Sequence, residues 1–396
     1  MTPRPFVIPA DVRFPLERAN GVQVVKMAAA LARSGTPTTL VVRQSDPRPS
    51  SEILARYGLE PEEGLEIRRL GVLHRRGSYV VPRISFMLRA AALSWVRSFR
   101  GAVVYTRDLQ LADLLLRLRP GPLIYEAHAV EALMYGERGT LYGTGEGPSP
   151  RKAARLEARE RRVWTRAAGV VATTAGIRDS FAQSHGDRDH TQVIPNGCDP
   201  PDSSEFPGLA GRAPARVLYA GQLYPWKGVD VLVEAMTRVP DARLVILGGF
   251  EGETDMARVR SLVEARGLAP RTDMLGTVPQ ARVAEELKAA SVVAVPFLRS
   301  CMTERHTSPI KAFEAMAAGR PIVASDLPSS REILRDGDNA LLVPPGDVLA
   351  LAGAISRLLA ETELALRLAR SAFAQAPRYL WDSRTQQLRQ LVEELP

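Results

Sequence analysis

The stretch SPIKAFEAMAAGRPIVASDLP, residues 308–328, reads as a helix that stops and hands the chain to a strand. Ser308 suits an N-cap, and Pro309 suits the first helical position because its missing N–H would be unpaired there in any case. Gly319 supplies the stop, and the strand candidate Pro321–Ala324 follows. The same alternation runs through the whole chain. Strands are expected at Phe6–Ile8, Thr38–Val42, Ala102–Tyr105, Leu123–Glu126, Val170–Thr173 and Gln192–Ile194. A second set is expected at Arg216–Ala220, Arg243–Leu247, Val292–Val295, Pro321–Ala324 and Ala340–Val343. Short apolar runs alternating with helical patterns are the sequence form of parallel sheets covered by helices on both faces.

A chain of 396 residues exceeds what one hydrophobic core usually serves, and a break is visible. The stretch PNGCDPPDSSEFPGLAGRAPA, residues 195–215, is rich in Pro, Gly and Ser and poor in apolar residues. The expected organisation is therefore α/β: a Rossmann-like, doubly wound domain at 1–195, a linker at 196–215, and a second such domain at 216–378. The tail 379–396 reads as an amphipathic helix that joins the first domain.

Apolar content of 45% is enough for two cores, yet no uninterrupted apolar run of membrane-spanning length occurs. The start, MTPRPFVIPADVRF, lacks the order of a signal peptide, so a cytoplasmic location is expected. Cys198 and Cys301 are the only cysteines, and their separation fits neither a disulfide framework nor a structural zinc site. Charge is unevenly divided. Residues 1–196 carry 29 Lys and Arg against 19 Asp and Glu, a net of +10, and residues 197–396 carry 23 against 25, a net of −2. Such asymmetry suggests that the first half faces something anionic, an acidic membrane surface or a phosphorylated acceptor. A merely solvated, Arg-rich surface is the alternative. No zinc finger, RNA-recognition signature or aromatic-interleaved basic run points to nucleic acid.

The helix opening at 308 leaves the backbone N–H groups of Ile310 and Lys311 without intrahelical partners, and Lys311 adds a cation in the first turn. A helix start of this kind is a ready diphosphate site. Glu314 stands one turn further on nearly the same face, where a carboxylate can accept two ribose hydroxyls. The bland alternative is a capped helix with Lys311 and Glu314 as a solvated pair. A second segment, VLYAGQLYPWKGVDVLVEAM at 217–236, runs from strand through a Gly-bounded loop to helix. Gly221 marks the carboxyl end of the strand, where ligands sit in open α/β sheets, and Lys227 before Gly228 can meet a phosphate. It is not a Walker A loop, because no Gly-Lys-Ser/Thr has the required spacing.

Together and in this order, the two segments resemble the retaining glycosyltransferases of family 4, which have the GT-B fold of two Rossmann-like domains facing each other across a cleft. That family carries a strand-Gly-Arg-Leu-loop-Lys-Gly pattern, followed downstream by Glu, seven residues, and Glu-Ala-Met-Ala-x-Gly-x-Pro-Val-Val-Ala. The resemblance also covers IPNGCD at 194–199, YEAH at 125–128, LGTVP at 275–279 and YLWDSR at 379–384. It implies a nucleoside diphosphate sugar held by the second domain, a hydroxyl acceptor (glycan, lipid or small molecule) held mainly by the first, and transfer with retention. It further implies that Glu314 binds ribose, Lys227 neutralises charge on the leaving diphosphate, Val278 lies near the base and His128 beside the donor sugar. A core histidine is the alternative for His128. Gly21, in the turn opening the first long helix, resembles a loop glycine that admits the donor, and Arg107 and Asp108 are weaker acceptor candidates.

Two positions depart from the common pattern. Gln222 stands where the arginine is expected and His306 where the first glutamate is expected. The resemblance then rests on a subgroup with Gly-Gln-Leu-Tyr-Pro-Trp-Lys-Gly and Ser-Pro-x-Lys, in which charge stabilisation falls to Lys227 and Lys311, and His306 or Glu304 meets the sugar hydroxyls. The expected donor set is Gly21, Gln222, Lys227, Val278, His306, Ser308, Ile310, Lys311 and Glu314, with His128, Lys227 and Glu314 catalytic. No resident cofactor or metal is expected, the nucleoside diphosphate sugar being a co-substrate. A nucleotide-sugar epimerase of the same fold and an inactive sugar-nucleotide binder are the alternative readings.

The stretch PRISFMLRAAALSWVRSFR, 82–100, places Ile84, Met87, Leu88, Ala91, Trp95 and Phe99 at helical spacing, accompanied by Arg83, Arg89, Arg97 and Arg100. The preferred expectation is a helix that packs this stripe on the first sheet with arginines at its edge. The alternative is a basic amphipathic helix in an anionic lipid interface.

Overall fold

The computed structural model describes residues 3–15, 18–73, 80–118, 121–141, 147–209, 211 and 214–395. The chain divides into two compact units. One comprises Met1–Gly136, Pro148–Pro195 and Trp381–Pro396, and the other Glu137–Gly147 and Asn196–Leu380.

The first unit runs β1 (Phe6–Phe14), α1 (Ala19–Arg33), β2 (Thr38–Gln44), α2 (Ser50–Arg56), β3 (Leu65–Leu70), α3 (Val80–Phe99), β4 (Val103–Thr106), α4 (Leu109–Arg117), β5 (Leu123–Ala127) and α5 (Glu131–Gly136). After the single turn α6 (Arg138–Leu141), which groups with the other unit, come α7 (Pro150–Arg166), β6 (Gly169–Ala172), α8 (Ala175–His185) and β7 (Thr191–Val193). Its seven strands are parallel in the order β3-β2-β1-β4-β5-β6-β7. Successive side chains point to opposite faces of a strand, so an apolar run builds two cores at once. Phe6, Ile8, Val42, Tyr105, Ile124 and Val171 lie in one, with α1. Val7, Val41, Val104, Leu123, Tyr125 and Val170 lie in the other, with α3, α4, α7 and α8.

The second unit runs β8 (Ala215–Ala220), α9 (Val229–Met236), β9 (Ala242–Leu247), α10 (Thr254–Ala265), β10 (Thr272–Gly276), α11 (Gln280–Ala289), β11 (Val292–Val295), α12 (Ile310–Ala317), β12 (Ile322–Ser325), α13 (Pro328–Arg331), β13 (Leu341–Val343), α14 (Val348–Ala360) and α15 (Thr362–Gln375). Its sheet is again parallel, in the order β10-β9-β8-β11-β12-β13. In each sheet the chain winds from the first strand to one edge, then returns to the other side. The reversal falls between β1 and β4 in one unit and between β8 and β11 in the other, and in open sheets of this kind ligands sit beside the carboxyl ends of the strands at the reversal.

All eleven expected strands are present, and two more, β3 and β10, form edges of their sheets. LEIRRL and TDMLG read as polar because an edge strand buries less of itself; their residues are nearly all half-exposed. The expectation for 82–100 requires correction. The helix forms, but its sheet-facing residues are Ser85, Phe86, Ala90, Ala91, Ser94 and Ser98, while Ile84, Leu88, Trp95 and Phe99 point to solvent. Small residues let a helix lie close to the sheet, and they leave the bulky ones on the outside.

The terminal helix α16 (Trp381–Glu393) begins after a 3-10 turn at Ala376–Tyr379 and belongs to the first unit, with Leu388, Leu391 and Val392 in the core beside α1. Arg384 on this helix is 2% exposed. Its guanidinium pairs with Glu126 of β5, donates from Nε to the Pro195 carbonyl at 2.8 Å and approaches the Tyr105 hydroxyl at 3.4 Å. Removing one member of a buried pair strands the other's charge. Arg384→Ala is therefore expected to lower stability by about 3–5 kcal/mol in chemical denaturation. Replacing both partners, as Arg384→Met with Glu126→Gln, should recover much of that loss.

Candidate active site

In the second unit the loop after β8 and the loop after β11 are locked together. Gly228, at φ 71°, ends a 3-10 turn at Pro225–Lys227, and a Cβ there would stand 1.7 Å from the Pro296 carbonyl oxygen, so no side chain fits. Leu298 N–H donates to the Trp226 carbonyl at 3.0 Å. This closure carries the Lys227 ammonium to 4.2 Å from the Trp226 ring centroid and 4.3 Å from that of Phe297. Among the described residues no carboxylate forms an ion pair with it. Burial, uncompensated by an anion, pushes the amine down to about 7, although Lys227 keeps some solvent access. An ammonium held between two aromatic faces at the switch point of a parallel sheet has the charge and the position to receive an anion from outside the protein.

Gln222 lies at the start of the same loop. Its backbone carbonyl accepts from the Tyr219 hydroxyl at 2.6 Å, and its side-chain Oε1 is buried without a partner. His306 is a second unpartnered group. It sits in a π-helical turn at Met302–His306, is 2% exposed, and neither ring nitrogen has a partner. Burial, aided by Arg305, pushes it down to about 4, so the imidazole is neutral at pH 7. Glu304 is occupied by Arg299.

The start of α12 corrects the expected cap. The helix opens at Ile310, Pro309 occupies the N-cap position, and no side chain caps it. Ser308 is held outward instead: its hydroxyl accepts from Asn196 N–H at 2.9 Å, and its carbonyl accepts from the Asn196 amide at 2.9 Å. The segment 194–199 thus braces the helix start from a distance in sequence. Lys311 and Glu314 do form an ion pair, at 2.5 Å with both side chains mostly buried. Glu314 also borders a cavity of about 340 Å³ lined by Val283 and Leu287 of α11 and by Asp199, Pro207 and Leu209. Val278 is partly buried beside the core under β10 and α11.

In the first unit the β1/β4 reversal gathers a polar constellation. Gln23 of α1 donates to both Glu126 oxygens at 2.9 and 3.1 Å and accepts from Arg107 at 2.9 Å. His128, just past β5, places Nε2 3.1 Å from Glu126 Oε1, within ion-pair reach but off the line of a hydrogen bond. Burial, reinforced by Arg107 and opposed by Glu126, pushes the imidazole down to about 4. Burial opposes ionisation of Glu126, yet Arg384 and His128 hold its carboxyl well below the ordinary range. Burial likewise lowers the Arg107 guanidinium. Asp108 has a structural task, capping α4 by accepting from Leu111 N–H at 2.9 Å. Gly21 lies within the first turn of α1, its N–H donating to the Arg18 carbonyl at 2.9 Å. Gln23, Glu126, Arg384, Asn196 and Phe297 were not anticipated from sequence. Glu126, a carboxylate inside an apolar strand, carried a signal; its partner Arg384 lies 258 residues away and carried none.

Residues 214–361 match the family described as glycosyl transferases group 1, and residues 20–197 match the glycosyl transferase 4-like domain. The chain is a glycosyltransferase with the GT-B fold. It is 28% identical to the D-inositol 3-phosphate glycosyltransferase of Xylanimonas cellulosilytica, over 91% of this chain and 88% of the relative. It is 36% identical to the phosphatidyl-myo-inositol mannosyltransferase of Mycobacterium leprae, over 50% of this chain and 52% of the relative. The crystal structure of Anabaena Alr3699/HepE in complex with UDP and glucose shares the fold, with a TM-score of 0.72, 18% identity, and coverage of 99% of this chain and 100% of that one. Among the described residues of this glycosyltransferase no helix is long and apolar enough to cross a membrane, and no group of three or more His, Cys, Asp or Glu could hold a metal ion.

The low lysine value sets a pH dependence. Lys227 is protonated below about 7 and loses its charge above it, so affinity for a nucleoside diphosphate should fall as pH rises through that value. Calorimetric titration is expected to show this fall relative to Lys227→Met, whose affinity should be lower and should lack that component.

Proposed function

We propose that this glycosyltransferase moves a sugar from a nucleoside diphosphate sugar, held by the second unit, to an acceptor hydroxyl held mainly by the first, with retention at the anomeric carbon. The observation that carries the reading is Lys227, a cation at the sheet's switch point with no carboxylate to neutralise it. Charge growing on the leaving diphosphate meets Lys227, Lys311 and the bare N-terminus of α12. Glu314 exchanges its pairing with Lys311 for the ribose hydroxyls as the diphosphate takes over the lysine. Ser308, Ile310 and Gln222 border the phosphates, Val278 the base, and neutral His306 the sugar hydroxyls. Neutral His128 is assigned to the donor sugar, and Gly21, Arg107 and Asp108 to the approach of donor and acceptor. No resident metal is assigned a step.

The names of the curated relatives carry a phosphorylated inositol, and the first half of this chain is strongly basic. Both favour an acceptor bearing phosphate, and the basic excess also favours peripheral contact with an anionic membrane. UDP sugars head the donor panel because the Anabaena structure holds UDP and glucose.

Thermal stabilisation by UDP, GDP, ADP and their sugars should pick out one nucleoside diphosphate, since specific binding raises apparent stability by mass action. NMR of the product should then show a glycoside with the donor's anomeric configuration. An isomerised sugar without glycoside would instead make the protein an epimerase, and binding without turnover an inactive relative. Glu314→Ala should weaken donor binding severely. Lys227→Ala should lower kcat by about a hundredfold, more than it lowers affinity. Full activity in both variants would overturn the site assignment.

A further inference from the structure

Helix α3 bares a face more apolar than the one it buries. Val80, Ile84, Leu88, Trp95, Val96 and Phe99 are between 39% and 66% exposed, whereas five of the six buried positions are Ala or Ser, namely Ser85, Ala90, Ala91, Ser94 and Ser98, joined by Phe86. Their successive spacings of four, four, seven, one and three residues place the exposed six on one side of the helix. Trp95 and Phe99 pack edge to face at 4.7 Å. Leu118, whose carbonyl accepts from Trp95 Nε1 at 3.0 Å, and Leu73, whose N–H donates to Ser85 Oγ, widen the patch. Among the described residues ten large apolar side chains are exposed, and eight of them lie here; the other two, Leu133 and Leu349, stand on other helices. Scattered exposed apolar residues need no explanation, but a continuous stripe calls for a partner.

Charge identifies the partner. Residues 80–100 contain four arginines and no acidic residue. Arg83 and Arg97 turn toward Asp11, Asp108 and Glu66 on the protein side; Arg89 and Arg100 are exposed and follow Val96 around the helix at the margin of the stripe, Arg89 donating one N–H to the Gly71 carbonyl at 2.8 Å and Arg100 lying open. A second copy of the chain meeting this face symmetrically would set Arg89 and Arg100 against their own counterparts. An anionic bilayer has no such conflict: apolar side chains enter the acyl boundary, Trp and Phe settle at headgroup depth, and arginines meet lipid phosphates. We propose that the exposed face of α3 docks this glycosyltransferase onto an anionic lipid bilayer, lying in the interface plane. The inference gives a location to the membrane contact proposed above and is independent of the donor site, because vesicle binding requires no sugar transfer.

The test is flotation of the full chain with vesicles of phosphatidylcholine alone or mixed with phosphatidylglycerol, at low and high salt. The protein should float with the anionic vesicles, less with the neutral ones, and less again at high salt. Leu88→Ser combined with Phe99→Ser should lower partitioning at least about tenfold. Arg89→Glu combined with Arg100→Glu should remove the preference for phosphatidylglycerol. All four side chains are solvent-exposed, so the melting temperature should hold, and circular dichroism checks it. Absence of flotation, equal flotation of wild type and the Leu88/Phe99 variant, or indifference to lipid charge would overturn the proposal. So would self-association of the wild type in solution that the Leu88/Phe99 variant abolishes, which would make a second copy the occupant.

Discussion

Backbone hydrogen bonding in a parallel sheet buried on both faces is the constraint from which the rest follows. A strand such as Val103–Thr106, with every residue buried, has no water to satisfy its N–H and C=O groups, so neighbouring strands must do so. Parallel neighbours cannot be joined by tight turns, and each connection crosses a face as a helix. The loops that leave the carboxyl ends are then the places where side chains can gather without breaking a core. At the β1/β4 and β8/β11 reversals those loops diverge, and both polar constellations lie there.

The two constellations handle buried charge in opposite ways. Glu126 is satisfied from within, by Arg384 and Gln23, and the result ties the last helix to a central strand. Lys227, His306 and the Gln222 side-chain oxygen lack such satisfaction. A protein that leaves buried polar groups unpaired forgoes stability, and groups of this kind collect where a ligand completes them. The contrast separates a scaffold interaction from a receptive one using the same physical terms.

Much of this was legible in the residues. The central strands could be read because they are apolar on both faces, and the segments around Lys227 and Glu314 because glycine, proline and lysine mark the loop and helix start. Edge strands β3 and β10 escaped because half-exposed strands mix polar and apolar residues. The role of Ser308 was misjudged for a different reason: a serine before a proline looks like a cap, and only Asn196, 112 residues away, shows that its hydroxyl is already engaged. The apolar stripe of α3 was visible, but not which way it faced, since Ala90, Ala91 and Ser94 allow close packing as well as Leu88 and Trp95 allow bulky packing.

Sequence alone determined the class of fold, the two-part organisation, the basic first half and the loop and helix start that carry Lys227 and Lys311. These depend on periodicity and local backbone chemistry, which are properties of adjacent residues. Tertiary structure alone decided that Arg384 neutralises Glu126, that Phe297 and Trp226 sandwich Lys227 and that α3 turns its bulky side chains outward. Those outcomes depend on which distant groups share a buried space, and the energy of a charge or an apolar surface is set by that company, not by its neighbours along the chain.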